Sequence, residues 1–150
     1  MNETAQNHFD TIINALLPFA LEMIGRSGTF LPFGGYINQA GTFEMLAVEH
    51  GGHTEPKDLV GMFRKVLEDG VRQDGYRAFG ICAHMHAEIP GQSGGKKDLV
   101  VTSMEDESGV AVDSYLPYER DANGGVVHGQ LISELVVPTV FQAQSEDFLQ

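Results

Sequence analysis

RAFGICAHMHAEI, residues 77–89, places Phe79, Ile81, Ala83, Met85 and Ile89 at odd positions, and Cys82, His84, His86 and Glu88 at even ones. That alternation has the period of two that a strand requires. The segment therefore reads as a central strand with an apolar side facing a core. Its other side carries a row of candidate metal ligands, in which His84 and His86 have Cβ atoms roughly 7 Å apart, close enough to share one ion. Either the row is the polar side of a half-buried strand, or His84, His86 and Glu88 hold zinc or iron, with His50 or His53 as a further candidate.

Upstream, Phe9, Ile13, Leu16, Ala20 and Met23 or Ile24 recur at spacings of three and four, a helical stripe that Asn2 or Thr4 can cap. Pro18 within it removes a backbone donor, so a kink or break is expected there. Two apolar runs, 30–37 and 42–48, flank Asn38-Gln39-Ala40-Gly41 and read as a β-hairpin. Gly34 and Gly35 inside the first run point to a bulge or to close approach by a backbone, a side chain or a ligand. A second helix is expected from a Thr54 cap and Pro56 to about Gln73, with Leu59, Met62 or Phe63, Val66 or Leu67, and Val71 inward.

Beyond residue 89 the runs 98–105 and 110–116 flank a turn at Asp106-Glu107-Ser108-Gly109, and Pro117 is expected to stop the second of them. Short strands follow at 126–132 and 136–141, the latter kept to an edge by Pro138. Residues from about 143 read as a frayed tail of one 150-residue domain. The order α-β-β-α-β-β-β plus short C-terminal strands gives an α+β class: an antiparallel sheet of about five to six strands with two helices packed on one face. Because the strands carry apolar residues on both sides, the opposite face calls for a cover, and a second copy of the chain is the economical one.

Composition narrows the functional classes. The chain carries 21 acidic against 9 basic residues, a net charge of −12 that repels phosphate backbones and argues against nucleic-acid binding. The same charge suits a basic protein partner. A single cysteine, Cys82, allows no intramolecular disulfide and fits a reducing cytoplasm. No apolar run approaches the roughly 20 residues of a membrane span, and no export signal opens the sequence.

The remaining motifs have weak chemistry. Gly91-Gln92-Ser93-Gly94-Gly95 matches G-x-S-x-G, but a strand rather than a helix is expected next, so the hydroxyl lacks its elbow. Cys82 could be a nucleophile beside His84, yet no third group orients the base, and a small buried hydrophobe is the simpler reading. Glu105, Asp106 and Glu107 lack the spacing of a calcium loop. Leu116-Pro117-Tyr118 is either an exposed aromatic corner or a strand end whose tyrosine folds back on the core. A ligand or partner surface is therefore read at Phe33, Gly34, Gly35, Pro117 and Tyr118.

The segments FLPFGGYINQAG, AFGICAHMHAEI and DLVVTSMEDESGVAVDSYLPY resemble a family of short bacterial proteins to which no function is assigned. Pro32-Phe33-Gly34, Gly41, Asp98, Glu105, Gly109 and Leu116-Pro117-Tyr118 carry the resemblance. It implies a bacterial cytoplasmic domain and brings no catalytic residue. The element order is also similar to roadblock-type, profilin-like domains, which implies a dimeric interaction module. The expectation is a non-enzymatic homodimer that binds another protein. A metalloprotein built on the His-x-His row, or a small-ligand sensor floored by Gly34 and Gly35, are the alternatives.

Overall fold

The structure is a computed structural model that describes residues 1–48, 52 and 54–141. His50, His53 and the expected tail at 143–150 lie outside the described residues. The chain forms α1 (Glu3–Ser27), β1 (Phe33–Ile37), β2 (Phe43–Leu46), α2 (Pro56–Asp74), β3 (Ala78–Ala87), β4 (Lys97–Asp106), β5 (Val110–Arg120), β6 (Val126–His128) and β7 (Ile132–Val136). The two helices and the seven-stranded antiparallel sheet make the α+β class expected from the sequence.

Helix α1 starts where Asn2 Oδ1 accepts a hydrogen bond from the Ala5 amide at 2.7 Å, and it ends at Gly28, whose left-handed φ of 82° only glycine adopts cheaply. Phe9, Ile12, Leu16, Ala20 and Ile24 form its buried stripe. The helix runs through Pro18 without interruption. Pro18 and Asn14 both lie on the exposed side, so the carbonyl left without an amide partner there faces water. Helix α2 begins at Pro56 with Glu55 as its cap, one residue later than Thr54, and its left-handed terminus is Gly75.

The sheet runs β2-β1-β3-β4-β5, and both β6 and β7 pair with the far side of β5. β7 takes positions 111–115 of β5, and β6 takes 118–120. Pro117 does not stop β5, because the gap between these two partners accommodates it. Its carbonyl accepts from Gly129 N at 2.8 Å, toward β6, and in an antiparallel ladder the amide position of the same residue points the same way. The missing N–H is therefore on the outer side, and the pairing of Pro117 with Leu99 of β4 loses nothing. β6 is shorter than its apolar run, and the last strand lies at 132–136 instead of the expected 136–141, so Pro138 falls beyond β7 in the segment that Glu105 holds.

One expectation fails: the helices do not share a face. Gly80 points at α1, since a Cβ there would meet Ile12 Cγ2 at 2.5 Å. Its paired neighbour Met104 and, two residues on, Asp106 point the same way, and Asp106 accepts a hydrogen bond from His8 of α1. Glu105 points oppositely and meets Arg64 of α2 at 3.5 Å. The sheet is thus sandwiched. This explains why all five residues Ala78–Cys82 of β3 are buried on both sides, and why the even-numbered row turns polar only from His84 onward, past the cover of α1. The premise that a bare face demands a second chain is removed with it.

Candidate functional site

The even-numbered row of β3 divides between separate partners. Cys82 is fully buried, with Thr102 Oγ1 donating to its Sγ at 3.7 Å. Burial pushes the thiol up to about 12, which the Thr102 hydrogen bond only partly offsets, so it stays protonated and packs as a small hydrophobe. His84 is half-buried, edge-on to the ring of Phe30, and its Nε2 shares a 2.6 Å hydrogen bond with Tyr118 Oη. His86 is exposed and donates from Nδ1 to Asp98 of β4 at 2.9 Å. Glu88 is exposed beyond the end of β3. Among the described residues no three His, Cys, Asp or Glu side chains are grouped so as to hold a metal ion.

The residues expected to form a ligand or partner surface are mostly interior. Phe33 is buried against the edges of Phe19 and Phe30, at centroid distances of 5.1 and 5.6 Å. Gly34 and Gly35 are buried within continuous pairing to β2 and β3, without a bulge. A Cβ on Gly34 would stand 2.5 Å from the Gly80 carbonyl, and one on Gly35 would stand 2.4 Å from the Phe43 ring. The space they leave is filled by the protein itself. Tyr118 folds back on the core, and burial raises its hydroxyl above the ordinary tyrosine value. Pro117 alone of the five is half-exposed.

Beyond the cover of α1, the polar ends of four strands enclose a groove of about 560 Å³. His86 and Asp98 wall it from β3 and β4, Tyr118 and Arg120 from β5, and His128 from β6. Arg120 is committed to structure: one Nη2 donates to the Gly25 carbonyl at 3.2 Å and to the Gly124 carbonyl at 3.1 Å, tying α1 to the turn before β6. Lys96 and Lys97 stand at the rim, and neither forms an ion pair among the described residues. Sequence reading missed this groove because its residues come from four separated segments. The signal available was local: two adjacent lysines directly after a glycine loop, in a chain otherwise rich in acid.

The hairpin acids do not act as a set. Glu105 and Asp106 point to opposite faces, and each is satisfied where it lies. Asp106 accepts from His8 Nδ1 and from both N and Oγ of Ser108, while Asn2 Nδ2 donates to Ser108 Oγ at 3.0 Å. This joins the start of α1 to the β4–β5 turn. Glu105 accepts from the amides of Thr139, Val140 and Phe141 at 2.9–3.1 Å and from Thr139 Oγ1 at 2.8 Å, holding the segment after β7 against the α2 face. The Ser93 loop joins antiparallel β3 and β4 with no helix after it, so no nucleophile elbow is built.

No helix is long and apolar enough to cross a membrane. No protein-family model matches the chain, and no curated protein or solved structure gives a match.

Proposed function

We propose that this chain is a bacterial, cytoplasmic, non-enzymatic interaction module that pairs with a second copy of itself along β7. The carrying observation is an apolar row on an open edge. Leu135 in β7, Leu131 just before it and Val137 just after it are 68, 40 and 81% exposed, and β7 pairs only with β5 among the described residues. A strand edge of this kind offers unpaired N–H and C=O groups that another strand can complete. Antiparallel β7–β7 pairing about a two-fold axis places each apolar row against its copy, an isologous contact. The segment after β7 turns toward Glu105 and leaves that edge open. The net charge of −12 favours a basic protein as the partner of the resulting dimer.

Native mass spectrometry and light scattering of the untagged protein test this reading. The expected result is a dimer that becomes a monomer in Leu135→Lys, with an unchanged circular dichroism spectrum. A wild-type protein that stays monomeric at tens of micromolar in 0.15 M salt overturns it.

A further inference from the structure

We propose that the groove between the ends of β3, β4, β5 and β6 is a binding site for a small phosphate monoester. Four observations converge. The groove collects three of the nine Lys and Arg residues but only two of the 21 acidic ones, so it is a basic region in a strongly acidic chain. Its volume, about 560 Å³, lies within the roughly 300–1,000 Å³ usual for small-molecule sites. Lys96 and Lys97 bring the ammonium groups that serve a phosphate as point charges, free of ion pairs among the described residues. Finally, both histidines of the wall spend Nδ1 elsewhere: His86 on Asp98 at 2.9 Å, and His128 on the Gly129 carbonyl at 2.9 Å.

That last arrangement selects phosphate over carboxylate. With Nδ1–H donating, each ring presents Nε2, which can share a proton with an oxygen of a group that itself holds one near neutrality. A phosphate monoester does so, with a second pKa of about 6, whereas a carboxylate is already fully ionised. Asp98 accepts the His86 hydrogen bond and orients that ring, and Glu119, the other carboxylate, shares the strand side of Pro117 and Val127, where it stands by the body of the ester and not by its phosphate. Pro117 and Val127 supply apolar wall for the body of the ester.

Titration of the full-length protein with phenyl phosphate tests the site, followed by calorimetry and by the ring-proton shifts of His86 and His128. Saturable 1:1 binding at millimolar affinity or better is expected, with both rings shifting together. Phenol should not bind, and benzoate should bind at least tenfold more weakly. Lys96→Ala/Lys97→Ala, placed at the exposed rim, should weaken phenyl phosphate at least tenfold without a change in melting temperature; His86→Gln should weaken it severalfold. The Leu135→Lys variant should bind as the wild type does, which separates this site from the self-association of β7. Absence of saturation at 10 mM (roughly the weakest affinity that would be specific) overturns the proposal. So does equal affinity for benzoate, or binding undiminished in the double lysine variant.

Discussion

On the α1 face of the sheet, Ile12, Leu16, Ala20 and Ile24 pack over Gly80, Cys82, Val100 and Met104, and the seal is almost wholly apolar. On the α2 face, Leu59, Phe63 and Leu67 cover β1 and β3, while the ground over β4 and β5 is closed differently. There Glu105 gathers the amides of residues 139–141, Phe141 stacks on Phe79 at 6.0 Å, and a separate small cluster forms from Ile89, Leu99 and Val101. A long helix can cover a sheet by burial alone. A five-residue strap cannot bury enough surface to hold itself, so its backbone needs a charged acceptor.

The difference sets the sizes of mutational effects. Leu16→Ala deletes a fully buried side chain from the apolar seal, and the expected loss is about 2–5 kcal/mol of global stability in urea unfolding. Glu105→Gln leaves the strap with a weaker acceptor, and about 1–3 kcal/mol is expected. Its signature is local: hydrogen exchange at Thr139, Val140 and Phe141 should accelerate well before exchange at β3. If Glu105→Gln costs as much as Leu16→Ala and exchange rises everywhere, the strap is part of the global core and the two faces are not closed differently.

The smallest expected effect runs the other way. Burial raises the Asp113 carboxyl above the ordinary aspartate range, with the Ser103 hydrogen bond opposing it and the nearby Glu134 and Glu105 charges adding to it. A folded-state value above the unfolded one means that stability is fullest below the unfolded pKa and is lost as pH rises through the folded pKa. Asp113→Asn should therefore raise the melting temperature at pH 7, by less than about 3 °C, and the gain should vanish toward pH 3. A gain that persists at pH 3 would assign the effect to packing instead of charge.

The elements were legible because their periods are clean. β3 declared itself through strict alternation, α1 through its three-and-four stripe, and the β4–β5 hairpin through Asp106–Gly109. The placement of the helices was not legible. Alternation in β3 shows a polar side from His84 onward, but Ala78, Gly80 and Cys82 are small rather than polar, and small residues beneath a closely packed helix look in sequence like a weak polar face. Pro117 misled for a related reason: a proline ends a strand only if its amide is needed, and here the gap between β6 and β7 made it unnecessary. Tyr118 and His84, 34 positions apart, meet only through the pairing of β3 with β4 and of β4 with β5.

Cys82 has a practical consequence. It is the sole thiol of the chain, it is fully buried, and it holds its proton to about 12. Maleimide and methanethiosulfonate reagents act on exposed thiolates, so the native protein presents no competing target. A cysteine introduced at exposed Lys97, away from β7, or at half-exposed Asp69 on α2 can carry a single spin label or fluorophore without prior removal of the natural one. Distance measurements between two such labels would then read chain separation directly, on a scaffold that needs no cysteine-free background.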